Sequence, residues 1–474
     1  MLKKILINGL FGVFNYEIKL NEDITIITAP NGYGKTFCLK IIHSIYSFNY
    51  FFLFNLNFKS ITFISSNKEL TVSKKVKINK QALDRTQESL FNEEIFGVEN
   101  HLRFGSKYLN EGEIFKEHSS LEFSLNEINT TKKPKKKVIE FKSFREDLVN
   151  NLYILPHISR VDDDEWIDRR SMKRLDLENL LNDYDVSLPV KSILPDWLVN
   201  FSENTVSYFI QDQRLLKKVK NESRRENSSY VQTIQTYAKE LKSHIVSASL
   251  KFSAISQELD STFPRRLIDD NEISYRLSTQ EDIIKELNEL QNQRERLKNF
   301  DILPKNNSFD ELIRHDKIEE NHIGVLNLYI EDTKTKLSQF DDIYSKVNLF
   351  VTMLNAKLSF KKVKADADKG FYFIKYFSDR EDDNDIPLSL SQLSSGEQHE
   401  VVLIYELIFN IKKGSLILID EPEISLHVVW QQQFLSDLKK IMDINKSNVI
   451  IATHSPQIIN NDWNKVVDLQ DLSK

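Results

Sequence analysis

The chain has 474 residues, 40% hydrophobic, 11% aromatic and 28% charged, with a formal net charge of −6 at neutral pH. That length predicts two or three domains with sizeable cores, and the negative balance excludes bulk attraction to nucleic acid while leaving room for a local basic patch. The single cysteine, Cys38, excludes disulfides and cysteine-based metal sites and fits a reducing cytoplasm.

The opening MLKKILINGL carries no cleavage-site pattern, so it does not read as a signal peptide. KKILINGLFG and FNYEIKLN alternate like paired strands. DITIITAP reads as a buried strand, and a helix is expected after Thr36. The apolar stretch IYSFNYFFLFNLNF (45–58) is interrupted by Asn49, Asn55 and Asn57. It is shorter than the ~20 residues of a membrane span, so a buried element in a soluble chain is expected. Strand-like KSITFIS, ELTVSKKVKI and SSLEFSLNEI follow. The lysine run KKPKKK (132–137) reads as a solvated hairpin loop, with nucleic-acid contact as its alternative.

Between about 200 and 358 the pattern becomes helical. Tyr230, Ile234, Tyr237, Leu241, Ile245, Ala248, Phe252, Ile255 and Leu259 recur at steps of three and four, and so do Leu326, Ile330, Thr333, Leu337, Phe340, Tyr344, Val347, Val351, Leu354 and Leu358. The second seam predicts one coiled-coil-like helix of ~50 Å at 1.5 Å per residue. A shorter seam, Ile283, Leu287, Leu290 and Leu297, lies between them. A projecting coiled coil and a compact bundle both fit this pattern, and Pro264 and Pro304 read as breaks. After 358, LSFKKVKAD and GFYFIKYFSD face each other across Asp368-Lys369-Gly370, an acidic loop follows, and strands resume with SLILIDEP and NVIIATHSP. The expected organisation is one α/β domain made by the two ends, 1–195 and 358–474, with helices inserted at 196–357.

Four motifs carry chemistry. APNGYGKTF (29–37) is a phosphate loop in which Ala29 replaces the first glycine. Pro30, Asn31, Gly32, Tyr33 and Gly34 would curl backbone N–H groups onto phosphate oxygens, ahead of Phe37 in the helix. Lys35 would reach the β- and γ-phosphates of ATP and Thr36 would ligate Mg2+. Alanine is tolerated at position 29 wherever φ stays negative. SLILIDEPE is a strand ending in Asp420, the second Mg2+ partner, and Glu421, placed to orient or deprotonate water. LSSGEQ offers Ser394, Ser395 and Gly396 in a turn running into a helix at Glu397. NVIIATHSP is a second buried strand, ending in His454.

In that order, APNGYGKT, LSSGEQ, LILIDEPEISLH and ATHSP resemble an ABC-type ATPase head, in the branch that holds SMC, RecF and OLD proteins. The resemblance implies an α/β P-loop fold with a mixed sheet, interrupted by a long helical insertion. It implies that Ser394, Ser395 and Gly396 of one protomer close over ATP held by another. Glu421 would then be the catalytic base and His454 the γ-phosphate switch, with EISLH (423–427) crossing the dimer interface. His427 reads as a packed or interface histidine, and Phe11 and Phe14 as core, with adenine stacking the alternative. The glutamine loop is not placed; Gln81 and Gln87 are its candidates.

The N-terminal hairpin LFGVFNYEIKL and YILPHISRV, which singles out Arg160, are similar to stand-alone ATPases of bacterial antiviral modules such as Septu and PARIS. That group departs from this chain at His157 and Ile158, where threonine and tyrosine are common. The resemblance implies an ATP-dependent sensor and scaffold, forming homodimers or a trimer of dimers, that holds a nuclease or toxin effector until a phage trigger appears. Only 20 residues follow His454, so an effector on a separate chain is expected. No Cys-x-x-Cys pair is present for a zinc hook, and the long insert argues against a transporter subunit with a membrane partner. A RecF- or SMC-like DNA-repair clamp is the alternative.

Overall fold

The computed structural model describes residues 2–76, 119–128, 130, 133–152, 157–162, 165–169, 172–175, 180, 190–203, 205–211, 229–269, 279–303, 322–376 and 386–472. Gln81, Gln87, Pro304 and most of the acidic loop lie outside the described residues.

β1 (Leu2–Leu10) and β2 (Phe14–Lys19) pair antiparallel as the alternation predicts. Ile5, Ile7, Tyr16 and Ile18 are buried on one face. β3 (Ile24–Thr28) leads through the phosphate loop into α1 (Lys35–Tyr46). The apolar stretch after it forms α2 (Tyr50–Asn55), buried through Tyr50, Phe51, Leu53 and Phe54. Asn49, one of the polar interruptions, is its N-cap and accepts from the Phe52 N–H at 3.3 Å.

β4 (Ser60–Ser65), β5 (Lys68–Val76), β6 (Ser119–Glu127) and β7 (Lys135–Glu140) complete a six-stranded antiparallel sheet ordered β2-β1-β4-β5-β6-β7. Half of the lysine run is therefore strand rather than loop: Lys135, Lys136 and Lys137 pair with Leu125, Ser124 and Phe123. As the outermost strand, β7 presents unpaired backbone groups, and exposed lysines discourage another chain from pairing there. α3 (Phe141–Asn151) packs back on β6 and β7. β8 (Ile158–Asp162), β9 (Glu165–Asp168) and β10 (Lys173–Leu175) form a small antiparallel sheet. α4 (Asp196–Glu203) and β11 (Ser207–Gln211) follow.

The helical region holds α5 (Ser229–Asp269), α6 (Gln280–Lys298), α7 (Ile323–Leu337) and α8 (Asp341–Lys357). Pro264 does not break α5. Nearby, the Ser261 and Thr262 hydroxyls donate to Glu258 O, and the Arg266 guanidinium donates to Leu259 O at 2.9 Å. The second seam is not one helix. A 3-10 turn, Ser338–Phe340, separates α7 from α8, and the side chains of Ser338 and Gln339 bond the Thr335 carbonyl there. Phe340, fully buried, keeps the apolar stripe continuous across the turn. α7 packs on both α5 and α6, and Arg266 grips the buried Asp332 through two 2.7 Å hydrogen bonds.

β12 (Lys361–Asp366), β13 (Gly370–Lys375) and β14 (Ile386–Leu388) form a three-stranded antiparallel sheet. Gly370 has φ +77, and a Cβ there would stand 1.9 Å from Ala238 O, so only glycine fits where this turn meets α5. α9 (Ser395–Tyr405), β15 (Leu416–Asp420), α10 (Val428–Asn445), β16 (Asn448–Ala452) and β17 (Val466–Asp468) complete the described elements used below.

The chain divides into two compact units. One comprises Met1–Asp212, Lys412–Ile424 and Lys446–Lys474; the other comprises Gln213–Ile411 and Ser425–Asn445. In the first, a parallel sheet ordered β11-β15-β16-β3-β17 stands beside the antiparallel one. Its three central strands are apolar nearly throughout, as expected of parallel strands covered on both faces. The second unit is held by an aromatic cluster in which Tyr405 stacks on Tyr237 at 4.3 Å and on Phe409 at 4.6 Å. Among the described residues, no helix is long and apolar enough to cross a membrane.

Candidate functional site

The loop after β3 has the backbone a phosphate cradle requires. Gly32 and Gly34 take φ of 91° and 81°, a region where an L side chain is strained. At Gly34 a Cβ would also come within 3.3 Å of Leu10 and Phe11. Ala29 stays outside the left-handed region, so its methyl is accommodated, and its carbonyl accepts from Lys35 Nζ at 2.9 Å. The N-terminal hairpin anchors the loop: the Tyr16 hydroxyl donates to Tyr33 O at 2.8 Å, Phe14 packs on Tyr33, and Phe11 meets Phe37 edge-on at 4.9 Å. Phe11 and Phe14 are thus in contact with the protein's own rings. Pro30, Asn31 and Gly32 are exposed at the loop's tip.

Strand order brings the remaining groups together. β16 runs between β3 and β15, so its end carries His454 between the phosphate loop and the Asp420–Glu421 tip. Thr36 Oγ1 donates to Asp420 Oδ1 at 3.1 Å. Lys35 Nζ donates to His454 Nε2, and that same nitrogen lies 3.7 Å from Glu421 Oε1. Glu421 has φ 48°, an uncommon conformation for a residue with a side chain, fixed by its N–H bond to Ala452 O at 2.8 Å. Burial pushes the Asp420 carboxyl above its ordinary value and Glu421 adds to this, while the Thr36 hydroxyl pulls it back. Burial likewise pushes the Lys35 ammonium below its usual value, against the field of Glu421, Asp420, Glu423 and Asp468.

These residues fit Mg-ATP by the chemistry of their donors. A hydroxyl and a carboxylate 3.1 Å apart are hard oxygen ligands. Mg2+ takes few protein ligands of this kind and completes its shell with water and phosphate.

The LSSGEQ segment belongs to the other unit. There it forms a capping box: Ser394 Oγ accepts from the Glu397 N–H at 3.3 Å, and Glu397 accepts from the Ser394 N–H at 2.7 Å. Lys361 Nζ braces Glu397 at 2.7 Å. Burial raises the Glu397 carboxyl, but Lys361 and the Ser394 N–H outweigh it and hold it below the usual range. Ser394 and Ser395 are exposed. Arg160 lies on β8 of the small sheet, exposed, and donates to Asp162 O at 3.1 Å. His427 is exposed and meets Trp430 edge-on.

Sequence reasoning missed Tyr16 and Glu423. Tyr16 alternates in β2 like any core residue, and only its hydroxyl's reach to the loop distinguishes it. Glu423, grouped above with the interface loop EISLH, has a carboxylate oxygen that accepts from Thr453 Oγ1 and from the N–H groups of His454 and Ser455.

A phosphate loop between a central parallel strand and a helix, with an acidic strand tip two strands away, defines a P-loop nucleotide-binding α/β fold. Residues 201–460, more than half of the chain, match the family described as AAA domain, putative AbiEii toxin, Type IV TA system, and the chain belongs to that family. It is similar to protein ea59 of Escherichia phage lambda, 35% identical over 98 residues, and to the retron Ec83 probable ATPase of Escherichia coli, 32% identical over 88 residues. Those matches span 21% and 16% of this chain, and only 17% and 16% of the relatives' own lengths. Among solved structures, the Smc head domain of Pyrococcus furiosus, bound to the C-terminal domain of ScpA, aligns at 10% identity over 98% of this chain and 92% of that one, with a TM-score of 0.32. The SMC head domain of Thermotoga maritima aligns at 10% identity over 97% and 90%, with a TM-score of 0.31. Superpositions this loose add no weight, and the fold assignment rests on the chain's own strand order and loop.

Proposed function

We infer that this chain is an ATP-binding and ATP-hydrolysing switch subunit of a bacterial antiphage defence module, with an ABC-type head built from 1–195 and 358–474 around the helical insertion 196–357. The observation that carries the reading is the convergence of Lys35, Thr36, Asp420, Glu421 and His454 at the ends of three adjacent parallel strands. The family description and the similarity to a retron ATPase support the defence setting.

In this reading the N–H groups of Gly32–Thr36 and the Lys35 ammonium bind the triphosphate, and Thr36 and Asp420 hold Mg2+. Bound Mg-ATP supplies a γ-phosphoryl group open to in-line attack by water. Glu421 takes the proton of that water, and the contact from Lys35 to His454 gives the imidazole a place from which to sense the phosphate end. Ser394, Ser395 and Gly396 act on nucleotide bound by a second protomer, so the nucleotide state sets head dimerisation. Dimerisation, or a ring of dimers, in turn holds or releases a separate nuclease or toxin chain, with a phage product as trigger.

The test is composite-site complementation. Glu421→Gln is expected to retain ATP and accumulate dimers in light scattering. Ser394→Arg mixed with Lys35→Ala is expected to recover at most one working site per dimer. A Glu421→Gln chain that stays monomeric at saturating Mg-ATP would exclude trans closure.

A further inference from the structure

The turn that carries His454 is held by one carboxylate oxygen. β15 ends at Asp420, and the left-handed backbone of Glu421 swings the chain sharply into the 3-10 turn Pro422–Ser425. That swing returns Glu423 over the end of β16. Its Oε1 accepts from Thr453 Oγ1 at 2.8 Å, from the His454 N–H at 2.7 Å and from the Ser455 N–H at 3.2 Å. Thr453 is fully buried, its own N–H goes to Ile27 O at 3.1 Å, and its hydroxyl also accepts from Ser455 N–H at 3.0 Å. Charge-assisted bonds from two backbone N–H groups and a hydroxyl are the strong kind. They fix the backbone on either side of a half-exposed imidazole.

The geometry assigns Glu423 as a positioning residue that acts through His454, aiming the imidazole at Lys35 and the Glu421 carboxylate; the assignment rests on the ATPase reading above. Glu423 reaches His454 through that residue's backbone N–H and adds its charge to the field on Lys35. What it sets is the direction of the residue between the phosphate loop and the base, and an imidazole displaced by ~1 Å can cost about 100-fold in rate.

Two measurements on the full chain test this. The first needs no nucleotide: the His454 ring resonance in protein labelled with 13C at histidine Cε1, identified among the 10 histidines by its loss in His454→Ala. Glu423→Ala is expected to move that resonance, whereas Glu423→Gln, which keeps a carbonyl acceptor, is expected to leave it near its wild-type position. Glu423→Asp withdraws the acceptor by one methylene and is expected to move it too, so the outcome does not hang on the alanine variant folding. A resonance unmoved by both Ala and Asp overturns the assignment. The second is steady-state ATP turnover. Glu423→Ala should lower kcat roughly 10–100-fold with KM for ATP little changed, Glu423→Gln should recover most of it, and in a His454→Ala background Glu423→Ala should cost nothing further. Additive losses in that double variant also overturn it. Absence of turnover in the wild type would instead refute the ATPase reading, and the resonance would still decide whether Glu423 orients His454.

Discussion

Lys35 and Lys357 are the two lysines buried among the described residues, and their surroundings differ in kind. Lys357, at the end of α8, is paired with Glu400 of α9, lies 3.0 Å from Asp437 of α10, and sits over the Trp430 ring. Three helices of one unit meet on its ammonium, and carboxylates answer its charge. Lys35 hydrogen-bonds a backbone carbonyl and an imidazole, and the carboxylates of Glu421, Asp420, Glu423 and Asp468 act on it through their field. A buried ammonium answered by carboxylates is a structural joint. One whose hydrogen bonds go to a carbonyl and an imidazole at a helix start is placed to meet an anion from outside.

The contrast is most easily broken at Lys357. Lys357→Ala leaves buried Glu400 without its cation, and Asp437 with the exposed Lys440, and should destabilise the chain by about 3–5 kcal/mol in urea unfolding. Converting the set together, as Lys357→Met, Glu400→Gln and Asp437→Asn, should restore most of that, and a failure to do so would mean the cluster acts through packing alone. Lys35→Ala should show the reverse pattern. ATP affinity should fall by at least ~100-fold in equilibrium binding, about 2.7 kcal/mol, while unfolding stability shifts by less than ~1 kcal/mol. Intact ATP binding would remove Lys35 from the phosphate cradle.

A smaller effect is expected at Asp420. Burial raises its carboxyl, so the folded chain binds that proton more tightly than the unfolded chain does. Its stabilising contribution is present below the ordinary aspartate value and is lost as pH rises through the raised one. Asp420→Asn, unfolded without nucleotide or Mg2+, should therefore match the wild type at acidic pH and be the more stable of the two at neutral pH. A constant difference across pH would show that the carboxylate is not strained. Smallest of all, Lys361→Ala removes a partly exposed partner of Glu397 and should cost only about 0.5 kcal/mol. A loss as large as that of Lys357→Ala would erase the distinction between exposed and buried pairs.

Much of the candidate site was legible because each of its parts ends an apolar strand or begins a helix, and those local patterns survive in sequence. Asp420, Glu421 and His454 announce themselves after LILI and VIIA. Lys357, Glu400 and Asp437 do not, because nothing local marks a lysine at the end of one helix as the partner of acids on two others. Glu423 stayed hidden for the same reason, since its partners lie 30 and more residues further on. In the helical region the seam was readable but its continuity was not. Phe340 keeps the three-four rhythm while the backbone tightens into a 3-10 turn, and a hydrophobic pattern records which face is buried, not how many helices carry it. Pro264 misled in the opposite sense, because α5 runs through it, a proline costing a helix one backbone hydrogen bond without always ending it.

Neither compact unit is a continuous stretch of polypeptide: the chain passes between them at Asp212/Gln213, Ile411/Lys412, Ile424/Ser425 and Asn445/Lys446. During synthesis, β3 and the loop around Lys35 leave the ribosome long before β16 and β17, the strands that flank β3 in its sheet. At roughly 5–20 residues per second, the interval between them is tens of seconds. A nascent product that has not reached Asn448 therefore lacks the neighbours of its own phosphate loop, and the candidate site is complete only once β16 and β17 have been made.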